Sequence, residues 1–414
     1  MEKIELGKIT TYIKGKPPVL DAIVNEEVVL LSPEYLRGTA EPVRVAKTQN
    51  LVMVNEKEIL LLWDGSNAGE FFLSKKGALA STMVKINVED DDFIKDYLFY
   101  SLKAFEGYLK GQTNGSGIPH VDKEILNAHK VIKFNKQEQK KIVEILYNID
   151  LKIKQTNDLI NKYNRIKVGM MQDLLSRGID ERGNIRSEET HEFKDSPLGR
   201  VPVEWNVEKL ELHLEKIEQG WSPQCDFEPA GTGEWGVLKT TAVTWNGYNQ
   251  NENKRLPVHL VPRPQYEVVV NDVLMTRGGP NSRVGVVCFV EETRDKLILS
   301  DKLYRLMPKE HLNARYLAWA LSSDATQRHL STMKTGMAES QTNISQDIVK
   351  NLFIKVMSIE EQDRMIKLLR LTEERIKGMN TELAKLKKVK VGLMQDLLTG
   401  EVRVADLISE DVGI

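Results

Sequence analysis

Lys167-Val168-Gly169-Met170-Met171-Gln172-Asp173-Leu174-Leu175 returns 223 residues later as Lys390-Val391-Gly392-Leu393-Met394-Gln395-Asp396-Leu397-Leu398. The same offset runs backwards without a gap. It sets Lys162 on Lys385, Asn157 on Asn380, Lys154 on Lys377, Ile153 on Ile376, Glu138-Gln139 on Glu361-Gln362 and Ile125 on Ile348. Two unrelated amphipathic helices would share apolar positions, but not a Gly-x-Met-Gln-Asp-Leu-Leu ending. The chain is therefore an internal duplication.

Each copy reads as one long helix. From Phe134 to about Ser176 there is no proline, and Gly169 is the sole glycine. Ile142, Leu146, Ile149, Ile153, Ile160, Tyr163, Met170 and Leu174 follow heptad spacing. So do Met365, Leu369, Ile376, Met379, Leu383, Leu386, Leu393 and Leu397. About forty residues make a rod of roughly 60 Å, and its single apolar seam needs a partner. The nearest partner is the other copy, with Leu146, Ile153, Ile160 and Tyr163 of one helix and Leu369, Ile376, Leu383 and Leu386 of the other as the candidate helix-pairing residues. The alternative is that each helix packs only on its own domain. Lys162, Arg165, Lys167, Lys385, Lys387, Lys388 and Lys390 make both rods basic. Such a face is ordinarily solvated, and it also suits phosphates or a partner subunit.

The two stretches before the helices are alike in kind. Val28–Leu31, Ile59–Trp63, Val84–Ile86, Glu267–Val270, Val284–Val290 and Leu303–Leu306 read as strands, each bounded by turn residues. Phe93–Phe105 and Ala314–Leu321 read as helices, the first with Asp90-Asp91-Asp92 as an acidic start. Lys14-Gly15-Lys16-Pro17-Pro18 echoes Gln219-Gly220-Trp221-Ser222-Pro223. Glu58–Gly65 echoes Asp272–Gly279, and these offsets, 205 and 214, differ from 223. Copies hold where the chain is helical and drift where it is loop-rich. The fold class expected is α+β: two tandem globular domains, each followed by a long helix, the helices forming an antiparallel coiled coil with pseudo-twofold symmetry. The boundaries expected are a first domain over 1–133, a helix over 134–177, a linker over 178–199, a second domain over 200–356, a helix over 357–400 and a tail over 401–414.

Length and composition agree with two or three globular domains. Apolar residues are 41% and charged residues 29%, and 58 basic residues against 60 acidic ones leave a net charge of -2. That excludes a uniformly basic coat, though not a basic face. Cys225 and Cys288 are the two cysteines, too few for a disulfide framework or a cysteine-based zinc site. The longest apolar runs are far below the ~20 residues that span a bilayer, and Met1–Tyr12 is charged where a signal peptide is apolar. A cytoplasmic protein without membrane contact is expected.

Catalytic patterns are missing. There is no Walker A loop, no Asn-Pro-Pro-Tyr or Asp-Pro-Pro-Tyr cluster for a flipped adenine, no His-x-x-x-His and no Gly-x-Ser-x-Gly. A binding protein is favoured over an enzyme, and no cofactor, metal or catalytic residue is assigned. Two other readings stay open: a coiled-coil scaffold that binds only protein, and a self-contained DNA-modifying enzyme with unfamiliar motifs.

For binding, Arg277 precedes the turn Gly278-Gly279-Pro280-Asn281-Ser282-Arg283. Arginine pairs bidentately with guanine, and asparagine with adenine. Gly279, Asn281, Ser282, Arg277 and Arg283 are thus candidate DNA contacts, against the plain alternative of a hairpin turn. The first domain offers Ser66 and Asn67 in Asp64–Gly69, with Lys75 and Lys76 near in sequence, and Lys16 beside Pro17-Pro18 as a phosphate contact or a solvated lysine. Gly111–Val121 and Thr335–Ile344 are polar stretches before each helical copy, and the second holds Gln341 and Asn343. Trp221, Trp235 and Trp245 serve packing or base contact.

At this point Ser196-Pro197-Leu198-Gly199-Arg200-Val201-Pro202-Val203-Glu204-Trp205 resembles the segment that opens the second target-recognition domain in specificity subunits of Type I restriction–modification systems. The paired Lys-Val-Gly-x-Met-Gln-Asp-Leu-Leu endings and Asn271–Gly278 resemble the same family. The likeness spans nearly the whole chain, in order. Domain one departs from it at Trp63-Asp64-Gly65, where domain two has Arg277-Gly278-Gly279. The resemblance implies two target-recognition domains reading the halves of a bipartite double-stranded DNA sequence. The helices would then set the spacer and dock two modification (methyltransferase) subunits, and two restriction (motor–nuclease) subunits would join them. AdoMet, ATP and magnesium would belong to those partners.

Overall fold

The computed structural model describes residues 1–19, 26–112, 119–334 and 341–410. It divides into two compact units, one of residues 1–159 with 379–414 and the other of residues 160–378.

In the first unit Thr10–Lys14 (β1), Ile59–Leu62 (β2), Phe71–Leu73 (β3) and Met83–Val88 (β4) form an antiparallel sheet in the order β1-β4-β2-β3. Side chains alternate across a strand, and β2 uses the alternation to feed two cores. Ile59 and Leu61 join a cluster with Tyr97, Leu98 and Leu102 of the helix Lys95–Gly111. Leu60 and Leu62 join another with Leu31 and Leu79. Those two residues belong to a second sheet, in which Glu27–Leu31 runs parallel to Gly77–Leu79. A strand covered on both faces reads as an unbroken apolar run, which is why Ile-Leu-Leu-Leu shows no alternation in sequence.

The second unit repeats this plan. Leu214–Gln219 (β5), Val273–Thr276 (β6), Val287–Phe289 (β7) and Leu303–Pro308 (β8) follow the order β5-β8-β6-β7. Val273 and Met275 face one core and Leu274 another. Gly236–Leu238 lies parallel to Leu297–Ile298.

The long helices are Lys136–Arg177 (α1) and Ile359–Thr399 (α2). Both start with the same buried clamp. Gln139 Nε2 donates to the carbonyls of Phe134 (2.8 Å) and Asp92 (2.7 Å), and its Oε1 accepts from Ile94 N (2.7 Å). Gln362 makes the matching three bonds with Met357, His311 and Asn313. Tyr97 donates to Ile132 O and Tyr316 to Lys355 O, both at 2.8 Å. Both helices stop at a left-handed glycine, Gly178 (φ 66°) and Gly400 (φ 74°), the conformation that ends helices without a Cβ penalty.

Within each unit α1 and α2 run antiparallel. In the first, Glu138 meets Arg403 and Asp150 meets Lys390. In the second, Tyr163 lies under Arg375 and Lys167 meets Glu373. Leu146, Ile160, Leu369 and Leu383 are buried, while Ile153, Tyr163, Ile376 and Leu386 are half-buried. Two helices alone leave most of their circumference to solvent, so the seam is thinner than a full bundle core.

Several expectations are corrected. Glu267–Val270 is not a strand: Glu267 makes one bridge to Ile298, and the chain then turns through Asn271 (φ 75°), with Asp272 Oδ2 accepting from Val269 N. The strand expected over Val284–Val290 is confined to β7, because Gly285 (φ 94°) breaks the ladder. Asp90-Asp91-Asp92 precedes the helix rather than starting it; Asp90 Oδ1 accepts from Asp92 N in a turn, and the helix begins at Lys95. Residues 178–199, expected as a linker, carry buried anchor points. Ile179 and Arg186 are buried there, and Arg186 forks onto Glu361.

Candidate nucleic-acid interface

The loops with DNA-reading potential gather at one end of each main sheet. Gly15, just past β1, donates its N–H to Met83 O, and Trp221, just past Gly220, donates to Leu299 O. A Cβ on Gly15 would strike the carbonyl of Ala80, and one on Gly220 the carbonyl of Leu299. Glycine is required at both by close backbone approach, which explains the echo between Lys14–Pro18 and Gln219–Pro223.

Beyond β2 and β6 the chain is tied to the segment after the domain's helices. Asp64 bridges His120, Gly65 N donates to Pro119 O (2.9 Å) and Val121 N to Trp63 O (3.0 Å). In the second domain Gly278 pairs with Asn343, Gly279 with Thr342, and Ile344 N donates to Arg277 O (2.9 Å). The backbone frame is the same and the side chains on it differ. Lys14 meets Asp64 at 2.7 Å in the first domain. In the second, Gln219 Nε2 donates to Asp301 O (3.1 Å), as does Arg277 Nη1 (3.2 Å).

The arginines are partly committed to their own fold. The Arg277 guanidinium lies 5.4 Å from the Tyr304 ring, and its Nε is buried without a partner among the described residues. Arg283 Nη2 donates to the carbonyls of Thr240 (3.1 Å) and Val243 (3.2 Å), clamping the turn. Neither presents an open fork. Asn281 is half-buried with Oδ1 unpartnered, Gly279 is half-buried, and Ser282 is exposed. Ser66, Asn67, Lys16, Gln341 and Asn343 are exposed at the same kind of sheet end.

Lys75 and Lys76 are not brought to this surface. The β2–β3 hairpin sets Ile59 opposite Leu73, so they follow the far end of the strands from Ser66 and Asn67, and Lys75 lies 4.1 Å over the Tyr35 ring. Nearness in sequence misled because an intervening strand reverses the chain. Trp221 and Trp235 pack beside Val237, Leu256 and Ile298. Trp221 also carries Arg263 at 4.1 Å over its ring, and Trp245 is 54% exposed. Residues 113–118 and 335–340, inside the two polar stretches, lie outside the described residues. Sequence reasoning missed Lys302 and the Lys14–Asp64 pair, because the offsets drift there and only the strand bridges align them; it also missed His120, although the offset of 223 sets it on Asn343. Among the described residues no cluster of three or more His, Cys, Asp and Glu could hold a metal, and no helix is long and apolar enough to cross a membrane.

A duplicated α+β scaffold with a fixed frame and varied exposed side chains at each sheet end belongs to the class of two-domain recognition proteins. Known proteins narrow the class. The Type I restriction modification DNA specificity domain matches residues 1–165. The Type I restriction enzyme MjaVIII specificity subunit of Methanocaldococcus jannaschii is 34% identical over 98% of this chain and 94% of its own. The EcoEI specificity subunit of Escherichia coli is 44% identical over 36% of this chain and 26% of its own. The S subunit of a Type I system from M. genitalium shares the fold, with a TM-score of 0.58 at 14% identity over 96% of both chains. The chain belongs to the specificity subunits of Type I restriction–modification systems, the recognition component rather than the catalyst.

Proposed function

We propose that each domain reads one half of a bipartite double-stranded DNA target through the sheet end carrying the Gly15 or Gly220 turn. The long helices fix the spacer and dock two modification subunits, two restriction subunits join that complex, and AdoMet, ATP and magnesium act on those partners. The observation that carries this is the duplicated frame, with Asp64–His120 and Gly278–Asn343 in equivalent places. Equal frames with unequal side chains suit two different half-sites on one scaffold. Ser66, Asn67 and Lys16 then serve the first half-site, and Ser282, Gln341, Asn343 and Arg277 the second, with Arg283 shaping the turn. Lys75 and Lys76 have no part in it.

Docking of two like partners is supported by a second duplication. Ile166 and Val168 are 39% and 57% exposed, and their counterparts Val389 and Val391 are 50% and 67% exposed. Apolar side chains repeated at exposed helix positions suit two copies of one partner. With a net charge of -2, phosphate attraction by this chain alone is modest, and the partners supply much of the affinity. The test is a genome-wide map of methylated adenines in cells carrying the chain with a Type I modification subunit, against cells lacking the chain. A split motif that depends on the chain is expected. No new methylation from a folded, associated complex overturns the reading in favour of a protein-only scaffold.

A further inference from the structure

The bridge at each sheet end holds one exposed, hydrogen-bonding side chain in an equivalent place, His120 in the first domain and Asn343 in the second. Neither side chain is hydrogen-bonded to another described residue. Both backbones are held on either side, by Pro119 and Val121 in one domain and by Thr342 and Ile344 in the other. A side chain that starts from a fixed backbone, faces solvent and is hydrogen-bonded to no other described residue keeps its donors and acceptors for an external partner.

The surroundings of the two differ in a directed way. Around Asn343 there is Gly278, where any Cβ would collide with Asn343 Oδ1 and sit 2.8 Å from Lys302 Cδ. The amide and the lysine stem thus fold across the bare glycine, and among the described residues the Lys302 ammonium has only Asp301, at 3.7 Å, as an ion partner. Trp63 N donates to Thr82 O as Arg277 N does to Lys302 O, so Thr82 takes the place of Lys302 in the first domain. There Asp64 takes the place of Gly278 and is held by Lys14. The second domain offers an amide beside a cation, and the first an imidazole beside a neutralised carboxylate.

We infer that His120 and Asn343 are the equivalent specificity-determining residues of the two recognition domains, each contacting a base edge in its own half-site, with Lys302 supporting Asn343. The inference rests on the DNA reading above. An amide gives and accepts one hydrogen bond at once, which matches the N6 and N7 edge of adenine. Asn343 therefore reads an adenine. An imidazole carries its two nitrogens on opposite sides of its ring, so His120 makes a single bond to its base and discriminates less.

The experiment maps methylation with the wild-type chain, Asn343→Ala, Asn343→Asp, His120→Ala and Lys302→Ala, each co-expressed with the modification subunit. Asn343→Ala is expected to cut preference at one base position of one half-site by about ten- to a hundredfold. Asn343→Asp, which keeps the shape and removes the donor, is expected to lose the adenine as well. His120→Ala is expected to relax one position of the other half-site by less. Lys302→Ala is expected to weaken preference at the same base position as Asn343→Ala, by less, and to leave the other half-site unchanged. The half-site that each variant does not touch reports that the protein is folded and assembled. Unchanged motifs in both Asn343→Ala and His120→Ala, or a single variant altering both halves, overturns the inference while the recognition reading stands. A wild-type chain that yields no split motif overturns the recognition reading and this assignment with it.

Discussion

Lys390 sets its Nζ 2.6 Å from Asp150 Oδ1 in the first unit. Lys167 sets its Nζ 2.7 Å from Glu373 Oε1 in the second. The offset of 223 turns Asp150 into Glu373 and Lys167 into Lys390, so the second bond is the first with the two copies exchanged. A parallel pairing of the copies could not produce this reciprocity.

The pair is open to a charge-exchange test. Lys390→Glu is expected to lower stability by about 1 kcal/mol, since it sets two acids side by side in a part-exposed place. Adding Asp150→Lys is expected to restore most of the loss. A double-mutant cycle from denaturant unfolding of the intact chain measures the coupling. A coupling of zero would mean that the contact contributes no net attraction.

Glu361 is held more tightly. It is 4% exposed and receives Arg186 Nη1 (2.5 Å) and Nη2 (3.1 Å), Ile179 N (3.1 Å) and Trp205 Nε1 (3.3 Å). Its counterpart Glu138 is as deeply buried, but its partner Arg403 is 48% exposed at the side chain. Glu361→Ala strands a buried guanidinium and is expected to cost about 3–5 kcal/mol. Glu138→Ala leaves Arg403 free to reach water and is expected to cost roughly 1–2 kcal/mol. Equal losses in denaturant midpoint for the two variants would refute this account.

The two long helices were legible in sequence because periodicity and a gap-free repeat are local signals. The doubled strand plan was legible only in outline. Glu267–Val270 is as apolar as a real strand, and nothing in its composition shows that Asp272 would bend it into a turn. Arg277 and Arg283 were found as a pair, but their carbonyl partners Asp301, Thr240 and Val243 are separated from them in sequence. His120 was within reach, because the offset of 223 sets it on Asn343; what the sequence could not show is the strand bridge that puts it opposite Asp64.

Lys355 departs from the repeat in a measurable way. It stands where the first domain has Ile132, is 8% exposed, and donates to Leu175 O at 2.7 Å. Burial pulls its ammonium pKa from 10.5 down to about 8. Between those values the folded chain holds fewer protons than the unfolded one, so this group makes stability rise with pH across that window. Below pH 8 the buried charge costs up to about 3 kcal/mol. Lys355→Ile is expected to be more stable than the wild type at pH 7, with the gap closing towards pH 10.5. Denaturant unfolding of both proteins at three pH values checks this, and a gap that does not change with pH would remove the titration from the explanation.

The exposed apolar pairs test the docking of two partners. Val168→Glu or Val391→Glu alone is expected to leave unfolding within about 0.5 kcal/mol of wild type, as for surface substitutions. Each is expected to halve the number of modification subunits bound, and the double variant to bind none. Mass measurement of the purified complex gives the count. Two subunits retained by the double variant would place the docking surface elsewhere.

The same repeat makes the spacing rule testable. Asn157 and Asn380 are equivalent and sit far from either sheet in sequence. One heptad added after each keeps the seam in phase, because seven residues restore the apolar register. The rod grows by ~10 Å, which is about three base pairs at ~3.4 Å each. Methylation mapping is expected to return the same two half-sites with the spacer lengthened by about three. A heptad added after Asn157 alone leaves seven residues of α1 without a partner, and that variant is expected to fold poorly or to lose assembly. Unchanged half-sites with an unchanged spacer in an intact, doubly lengthened complex would show that the partners, and not these helices, set the distance.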